Sequence, residues 1–389
     1  MNRFSSIDQK LESTCEQALA MCLSTPDNPI GNSIQIKIDI DGEVKGLWVL
    51  IKSPSPLVPD EELYHRVYAI LYYCLIPAYT LCSSQMIVRT FPGSDLSMAR
   101  GFWYMIRPGT PTRLVGTIHQ IMDGIDDMEI PLEKNLVIDT SKVAHIFIAG
   151  NTGSGKTYAV LTLVRLLLFS NKRKSNCPTR RVMIIDPKKS TMARFFKKSK
   201  DVDLLLPTTG ERAEDFILKV NAKLQQILTD ISNIQDELYE KSSKPDCDYR
   251  ILGENAVENY LVIDELESIT AGVKRTLVNE FQSLLTKIAL TGREAGWHLL
   301  LSSQVASVGN GVTGATLSSS ARAQMTLRIQ LGRLDQSNIV QLFPELRDGG
   351  IPLPLGGKGS GIVSVADGEM DHFGVSPILM PTILNLEGD

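Results

Sequence analysis

The sequence has few cysteines and no excess of basic residues. Both features limit the classes of protein to which the chain can belong. Its six cysteines are scattered through 389 residues without a CxxC pair, and a chain of this length can bury a core without disulfides. The 40 basic and 44 acidic residues give a net charge of −4, so nucleic-acid binding would require a local concentration of positive charge. We expect reduced thiols at Cys15, Cys22, Cys74, Cys82, Cys177 and Cys247.

Long hydrophobic runs without charge are also scarce. The composition, 43% hydrophobic and 22% charged, excludes a disordered chain, a collagen-like fibre and a multi-span membrane protein. One uncharged stretch, 67–88, is long enough to span a bilayer. Its tyrosines, serines and Pro77 instead favour a buried helix ending near Pro77, followed by a strand around Met86–Phe91. Because the first residues also lack a signal-peptide core, we expect a cytoplasmic protein that would associate with a membrane through a partner.

The hydrophobic pattern predicts two domains, an α+β domain over residues 1–127 and an α/β domain over residues 128–389. The first contains a hairpin turning at Asp41-Gly42 and a helix beginning at Asp60, and we expect it to serve oligomerisation or partner docking. In the second, short apolar strands alternate with long helices, which predicts a mostly parallel sheet covered by helices. The predicted strands of this sheet are His145–Ala149, Val182–Asp186, Tyr260–Asp264, His298–Ser302 and Thr326–Leu331. The predicted helices are Lys156–Phe169, Arg212–Tyr239 and Lys274–Thr291.

A glycine-rich loop in the second domain has the pattern of a phosphate-binding loop. The strand His145–Ala149 leads into Gly150–Thr157, which matches GxxxxGK[ST] and opens an apolar helix. Gly150, Gly153 and Gly155 permit backbone angles that turn successive N–H groups onto phosphate oxygens, and the helix adds its positive dipole end. The residues expected to bind the nucleotide are Gly150, Asn151, Thr152, Gly153, Ser154, Gly155, Lys156, Thr157 and Tyr158.

Five side chains are expected to act on the bound nucleotide. Lys156 would reach the β- and γ-phosphates, and the Thr157 hydroxyl would ligate Mg²⁺. A buried apolar strand ends in two carboxylates: Asp264 would hold the Mg²⁺ shell through water, and Glu265 would deprotonate the attacking water as a general base. Another apolar strand ends in Gln304, whose amide would contact the γ-phosphate if this strand lies between the two phosphate-site strands.

These motifs together resemble the FtsK/SpoIIIE family of DNA translocases, within the FtsK–HerA group of P-loop ATPases. The resemblance covers about residues 128–364. Met183–Lys189 is similar to the family's strand ending in DPK, Ala289–Gln304 to its GRAxGIHLxLATQ segment, and Gln324–Ile329 to its NxPTRI strand.

The resemblance implies a RecA-like motor that uses ATP and Mg²⁺, with Lys156, Gln304 and Glu265 in the roles given above. Arg328 corresponds to the arginine that the family offers across a subunit boundary to the neighbouring ATP, which we expect at an edge of the sheet. Arg293 competes for this role. A surface salt bridge for Arg328 and a helix-end role for Arg293 remain alternatives. In size the chain is closest to family members that act in plasmid or mobile-element transfer.

Positive charge is concentrated in the segment Asn171–Lys200, which has eleven basic residues and a single acid, Asp186. Its charge of +10 leaves −14 for the rest of the chain, as expected for contact with a phosphate backbone, although a solvated face is an equal alternative. The Gly/Ser-rich loop Val308–Arg322 is a second candidate, lining a central pore. The basic residues are Lys172, Arg173, Lys174, Arg180, Arg181, Lys188, Lys189, Arg194, Lys197, Lys198 and Lys200.

We therefore expect a homo-oligomeric, hexameric ATPase that moves double-stranded DNA of any sequence in mobile-element or plasmid transfer or in DNA partitioning. An ATPase of a protein-secretion machine and a coupling protein for single-stranded DNA in conjugation are the alternatives. The intact Glu265 argues against a non-hydrolysing scaffold. A relaxase or a membrane channel is the partner expected besides DNA.

Overall fold

The computed structural model divides the chain into two compact units, whose boundaries differ from the predicted domains. The first division falls after Thr112 rather than after residue 127, and two later segments belong to the first unit. The first unit comprises the described residues within Met1–Thr112, Phe343–Pro352 and Ser364–Pro377, and the second those within Arg113–Leu342, Leu353–Val363 and Ile378–Asp389. The described residues are 4–25, 33–39, 45–54, 57–91, 95–170, 179–304, 317–334, 336–344, 346, 357–368 and 374–384.

The first unit combines two helices with an antiparallel sheet of order β1-β2-β5-β3, in which β4 also pairs with β5. The pairing of β1 with β2 sets Ile36 opposite Val49 and confirms the two predicted hairpin strands, whose turn at Asp41-Gly42 lies outside the described residues. Both helices pack their apolar side chains against this sheet. The elements are α1 (Phe4–Leu23), β1 (Ile34–Asp39), β2 (Gly46–Ile51), α2 (Glu61–Leu75), β3 (Tyr79–Leu81), β4 (Val88–Thr90) and β5 (Arg100–Pro108).

Helix α2 explains the uncharged stretch 67–88. Asp60 caps the helix by accepting a hydrogen bond at 2.8 Å from the N–H three residues on, and the helix ends before Pro77. Val67 and Leu71 are buried in the core of the first unit, which is why this segment carries no charge. Among the described residues, no helix is long and apolar enough to cross a membrane.

The chain from residue 113 onward alternates strands and helices, as predicted. Its elements before the long helix are β6 (Val115–Gly116), α3 (Ile118–Ile121), β7 (Glu129–Glu133), β8 (Leu136–Asp139), β9 (Ile146–Gly150), α4 (Lys156–Ser170), β10 (Thr179–Ile185), α5 (Thr191–Phe196) and β11 (Val202–Leu205). They continue with α6 (Ala213–Lys241), β12 (Val257–Ile263), α7 (Leu266–Thr270), α8 (Arg275–Thr291), β13 (Trp297–Ser303), α9 (Ser319–Ala323), β14 (Leu327–Leu331), α10 (Gln336–Leu342), β15 (Ser360–Val365), β16 (Val375–Leu379) and β17 (Thr382–Ile383).

The large sheet has eight strands in the order β11-β10-β12-β13-β9-β14-β15-β16. The five neighbouring pairs from β11 to β14 are parallel, which confirms the predicted mostly parallel sheet. β13 lies between β12 and β9, as the prediction for Gln304 required. Because parallel strands end at the same edge of a sheet, the loops that follow β9, β12 and β13 are neighbours.

Two strands of this sheet begin three residues earlier than predicted, because they bury a pair of charged side chains. Arg180 on β10 and Glu258 on β12 form an ion pair with side-chain exposures of 1% and 0%. Arg180 also donates to Thr140 Oγ1 at 2.7 Å, and Tyr249 donates to Glu258 at 3.1 Å. Burial would raise the pKa of Glu258, but the charges of Arg180 and His298 and the hydrogen bonds from Arg180 and Tyr249 together hold that pKa below its usual value.

Candidate active site

The glycine-rich loop joins β9 to α4 with the geometry that phosphate binding requires. Gly153 and Gly155 have φ angles of 83° and 97°, which favour glycine and turn backbone N–H groups inward. Gly150 does not have a positive φ, so its predicted conformational role was wrong. It is glycine because a Cβ there would lie 2.6 Å from Ser154 Oγ and 3.0 Å from the Leu331 carbonyl oxygen.

Lys156 is the buried cation of this loop. Its side chain is largely enclosed, and Nζ makes no hydrogen bond with any residue that the structure describes. Burial lowers the pKa of Lys156, against the opposing charges of Asp264 and two glutamates. A buried ammonium group without a hydrogen-bond partner fits a phosphate anion, because burial of such a group is costly unless it is paired.

The predicted site residues meet around one cavity of about 300 Å³. Tyr158 lies at its rim and is largely exposed. Ser154 and Arg328 are the two predicted residues that do not line this cavity. The lining residues are Gly150, Asn151, Thr152, Gly153, Gly155, Lys156, Thr157, Tyr158, Thr191, Asp264, Glu265, Gln304 and Lys358.

Two carboxylates follow β12 and have different surroundings. Asp264 is buried and accepts a hydrogen bond from Ser302 Oγ at 2.5 Å; burial raises its pKa. The Thr157 hydroxyl and the Asp264 carboxylate carry oxygen atoms of the kind that Mg²⁺ prefers. Glu265 has a φ of 66°, a left-handed conformation that is unusual for glutamate.

Both carboxylate oxygens of Glu265 accept hydrogen bonds. Gln304 Nε2 donates to Oε1 at 2.7 Å, and the Lys188 ammonium group forms an ion pair with Oε2. Burial would raise the pKa of Glu265, but the hydrogen bonds from Lys188 and Gln304 outweigh it and lower that pKa. Gln304 therefore lies at the predicted cavity and also contacts the predicted general base.

A second cavity of about 260 Å³ adjoins the loop and was not predicted. It is mainly apolar and shares Gly155, Tyr158 and Lys358 with the first cavity. Arg113 borders it and donates to the carbonyl oxygens of Lys358 at 2.8 Å and Met380 at 2.9 Å. No sequence signal links Arg113 to residues more than 200 positions later, so only the folded structure reveals this wall.

The two candidate arginines lie away from the cavity. Arg328 is on β14, which has β9 and β15 as neighbours, so the expectation of an arginine on an edge strand was wrong. It is half-buried and donates to the Leu342 carbonyl oxygen at 2.7 Å. Arg293 is exposed in the turn before β13, at the amino ends of the parallel strands and opposite the loops that form the cavity.

The basic segment is divided between structural and surface roles. Arg180 is buried against Glu258, so the expectation that it contacts DNA was wrong. Lys188 is exposed but paired with Glu265. Within the described part of this segment, five basic side chains besides Lys188 and Lys189 are exposed: Arg181, Arg194, Lys197, Lys198 and Lys200. Lys172, Arg173 and Lys174 lie outside the described residues, as do positions 308–316 of the Gly/Ser-rich loop. The last residue of that loop, Arg322, donates to Gln341 Oε1 at 2.9 Å.

The parallel sheet, the loop between β9 and α4, and the acidic tip of β12 define the fold of a P-loop ATPase. Residues 127–198 match the model of the FtsK/SpoIIIE family. This part of the chain is thus similar to the FtsK/SpoIIIE family, as the sequence motifs indicated.

Two known proteins are similar in sequence to parts of the chain. It is 25% identical over 251 residues to the FtsK domain-containing protein YdcQ of Bacillus subtilis, covering 64% of this chain and 46% of that protein. It is 30% identical over 183 residues to the DNA translocase FtsK of Campylobacter jejuni, covering 46% of this chain and 18% of that protein. The chain thus spans less than half the length of these relatives.

One solved structure has a similar fold over nearly the whole chain. It is the conjugation coupling protein TcpA of pCW3, in a monomer form with ATPγS. The likeness covers 97% of this chain and 96% of TcpA, with a TM-score of 0.54 and 15% sequence identity. At this identity the likeness concerns the fold alone.

Proposed function

We propose that the chain binds ATP with Mg²⁺ in the cavity beside the glycine-rich loop and hydrolyses it. The observation that carries this proposal is the meeting of the loop N–H groups, the unpartnered Lys156 ammonium and the tips of β12 and β13 around one cavity. Lys156 would hold the β- and γ-phosphates. Thr157 and Asp264 would hold Mg²⁺, which supplies neutralisation of phosphate charge when it is bound.

Glu265 is proposed as the general base for the attacking water. Its carboxylate lies on the cavity wall beside Gln304, where it can orient a water molecule toward the γ-phosphoryl group. The adjoining apolar cavity, which shares Tyr158, is of suitable size and character for the nucleobase. The triphosphate would then extend from this second cavity along the loop toward Glu265.

We further propose that hydrolysis drives the movement of double-stranded DNA without sequence preference. The support is that relatives with an FtsK domain include proteins named DNA translocases, and that Lys197, Lys198 and Lys200 form an exposed basic surface. Contacts from such lysines to phosphates give affinity without reading sequence. Plasmid or mobile-element transfer is the proposed setting, in the cytoplasm, with a relaxase or membrane channel as a further partner.

The proposed assembly is a homohexameric ring. In a ring, Arg328 of one protomer would approach the nucleotide of its neighbour, since it does not line the cavity of its own chain. The first unit would then serve oligomerisation or partner docking.

The test is ATP hydrolysis measured without DNA, with duplex DNA and with single-stranded DNA of equal nucleotide concentration. Stimulation by duplex of at least several-fold, lost in Lys156→Ala, is the expected result. Stimulation by single strands alone would favour a single-strand coupling protein. A rate that is indifferent to both DNA forms would contradict the translocase proposal and favour a secretion or scaffold role.

A further inference from the structure

Lys188 and Glu265 follow different strands and form an ion pair beside the cavity, which Glu265 lines. Lys188 follows β10 and Glu265 follows β12, and these two strands are parallel neighbours. The Lys188 ammonium group occupies Oε2 of Glu265, while Gln304 occupies Oε1. Each oxygen keeps a further lone pair, but a carboxylate paired with an ammonium group accepts a proton less readily than a free one, so release of Lys188 would favour proton transfer from water.

The backbone around this pair is shaped to bring the two side chains together. Among the described residues, Lys189 and Glu265 are the non-glycine residues with positive φ, at 49° and 66°. Asp186 fixes the turn that carries Lys188 by accepting hydrogen bonds from the N–H groups of Lys188 at 3.0 Å and Ser190 at 2.7 Å. Unusual backbone conformations persist where the surrounding structure enforces them, and they cluster at functional sites.

Lys188 is also placed to respond to an anion in the cavity. Its side chain is 53% exposed, so it is free to change rotamer without disturbing the core. Its charge contributes to the lowered pKa of Lys156, of which burial is the main cause. A γ-phosphoryl group bound by Lys156 would therefore lie within the field of both ammonium groups.

We propose that Lys188 is a positioning residue that holds Glu265 until a triphosphate binds. The γ-phosphoryl group would then attract the Lys188 ammonium group and release one oxygen of Glu265 to face the attacking water. A diphosphate lacks that group and would leave the pair of Lys188 with Glu265 intact. This role rests on the nucleotide site proposed above. It would make Glu265 available as a base only when the γ-phosphoryl group is bound.

The test is a double-mutant cycle on nucleotide affinity, measured by calorimetry with Mg·ATPγS and Mg·ADP. Lys188→Met keeps most of the length of the side chain but removes the charge. It is expected to weaken ATPγS binding about tenfold and to change ADP binding less than twofold. Glu265→Gln frees Lys188 for the phosphate and should tighten ATPγS binding several-fold. In the double variant this gain should disappear, because the responding cation is absent.

Two further variants separate this role from a structural one. Lys189→Met removes the same charge from an exposed neighbour whose side chain makes no hydrogen bond or ion pair with the described residues, and it should leave both affinities unchanged. Lys188→Arg keeps the charge and should restore most of the preference for ATPγS over ADP. Equal weakening of both nucleotides in Lys188→Met, or a gain from Glu265→Gln that persists in the double variant, would overturn the proposal. A wild-type protein that binds neither nucleotide would refute the proposed function itself.

Discussion

The backbone N–H of Gly359 donates a hydrogen bond to the carbonyl oxygen of Ser154 at 2.7 Å. This bond ties the turn before β15 to the phosphate-binding loop. The approach is close: a Cβ on Gly155 would lie 2.8 Å from the Gly359 nitrogen. The loop conformation therefore depends on a part of the chain far from the P-loop motif.

Gly155→Ala should disrupt this arrangement. The new Cβ would meet the Gly359 backbone, and alanine would have to adopt a φ of 97°. We expect a loss of about 1–3 kcal/mol in the free energy of unfolding and a loss of ATPγS affinity of at least tenfold, measured by denaturant unfolding and by calorimetry.

Gly210→Ala is the matched control for this change. Gly210 has a φ of 80° in the same unit, and a Cβ there would meet nothing within 4 Å. It should show a similar backbone penalty with unchanged nucleotide affinity. Equal nucleotide affinities in the two variants would show that the contact with Gly359 is unimportant for binding.

Arg328 should act on the nucleotide of a neighbouring protomer. Arg328→Ala and Glu265→Gln are each expected to lower the rate of hydrolysis at least 100-fold when pure. When the two variants are mixed, an Arg328→Ala protomer, which keeps Glu265, can lie beside a Glu265→Gln protomer, which keeps Arg328. The site between these two protomers is then complete, so part of the activity should return. The readout is phosphate release against mixing ratio. A mixture as inactive as its components would argue against a contribution across the boundary.

The exposed lysines after α5 should contact phosphates of DNA. Replacing Lys197, Lys198 and Lys200 by glutamine should reduce the slope of log K against log salt by up to about 2.7, because each phosphate contact contributes about 0.9. Salt titrations of duplex binding measure this slope. Glutamine at three other exposed lysines, Lys219, Lys241 and Lys244, should leave it unchanged. Equal slopes in both triple variants would make the first group an ordinary solvated face.

His145 should make stability depend on pH. Its ring is fully buried, with Nδ1 accepting from the Leu299 N–H and Nε2 donating to the Ala289 carbonyl oxygen, each at 2.9 Å. Burial is the main cause that lowers its pKa to about 3. The unfolded chain binds this proton near pH 6.5 and the folded chain does not. The stabilisation is therefore complete above about pH 6.5 and is lost as the pH falls toward 3.

The free energy of unfolding should thus decrease by about 1.4 kcal/mol per pH unit for this group between about pH 6 and pH 4. Denaturant unfolding across this range measures the slope. His145→Gln keeps a donor and an acceptor without the titration and should flatten the slope. His119→Gln, at an exposed position, should not. If the free energy of unfolding depends on pH equally in His145→Gln and in the wild type, groups other than His145 cause the loss of stability in acid.

The parts of the site that local patterns encode were predicted from the sequence. The strand–loop–helix around Lys156 and the acidic strand end at Asp264 follow from residue spacing and hydrophobic runs. The predicted position of the Gln304 strand, between the two phosphate-site strands, is the position that β13 has between β12 and β9. Local rules suffice there because each element's backbone and burial are set by its own residues.

The parts that tertiary contacts create could not be predicted. Arg180 was counted with the candidate DNA contacts because positive charge is concentrated in its segment, whereas its buried partner Glu258 lies on another strand. The pairing of Lys188 with Glu265, and the wall that Arg113 builds at the second cavity, likewise join distant positions. Neither the composition nor the hydrophobic periodicity of the sequence indicates that such residues are close in space.

The most direct test of the central claim is binding and cleavage of ATP by the purified protein. With Mg²⁺ present, we predict saturable binding of one ATPγS per chain and steady release of phosphate from ATP. Lys156→Ala should abolish both, because it removes the buried ammonium group that faces the cavity. A wild-type protein that binds no nucleotide at millimolar concentration, or a Lys156→Ala variant that cleaves ATP at the wild-type rate, would contradict the account.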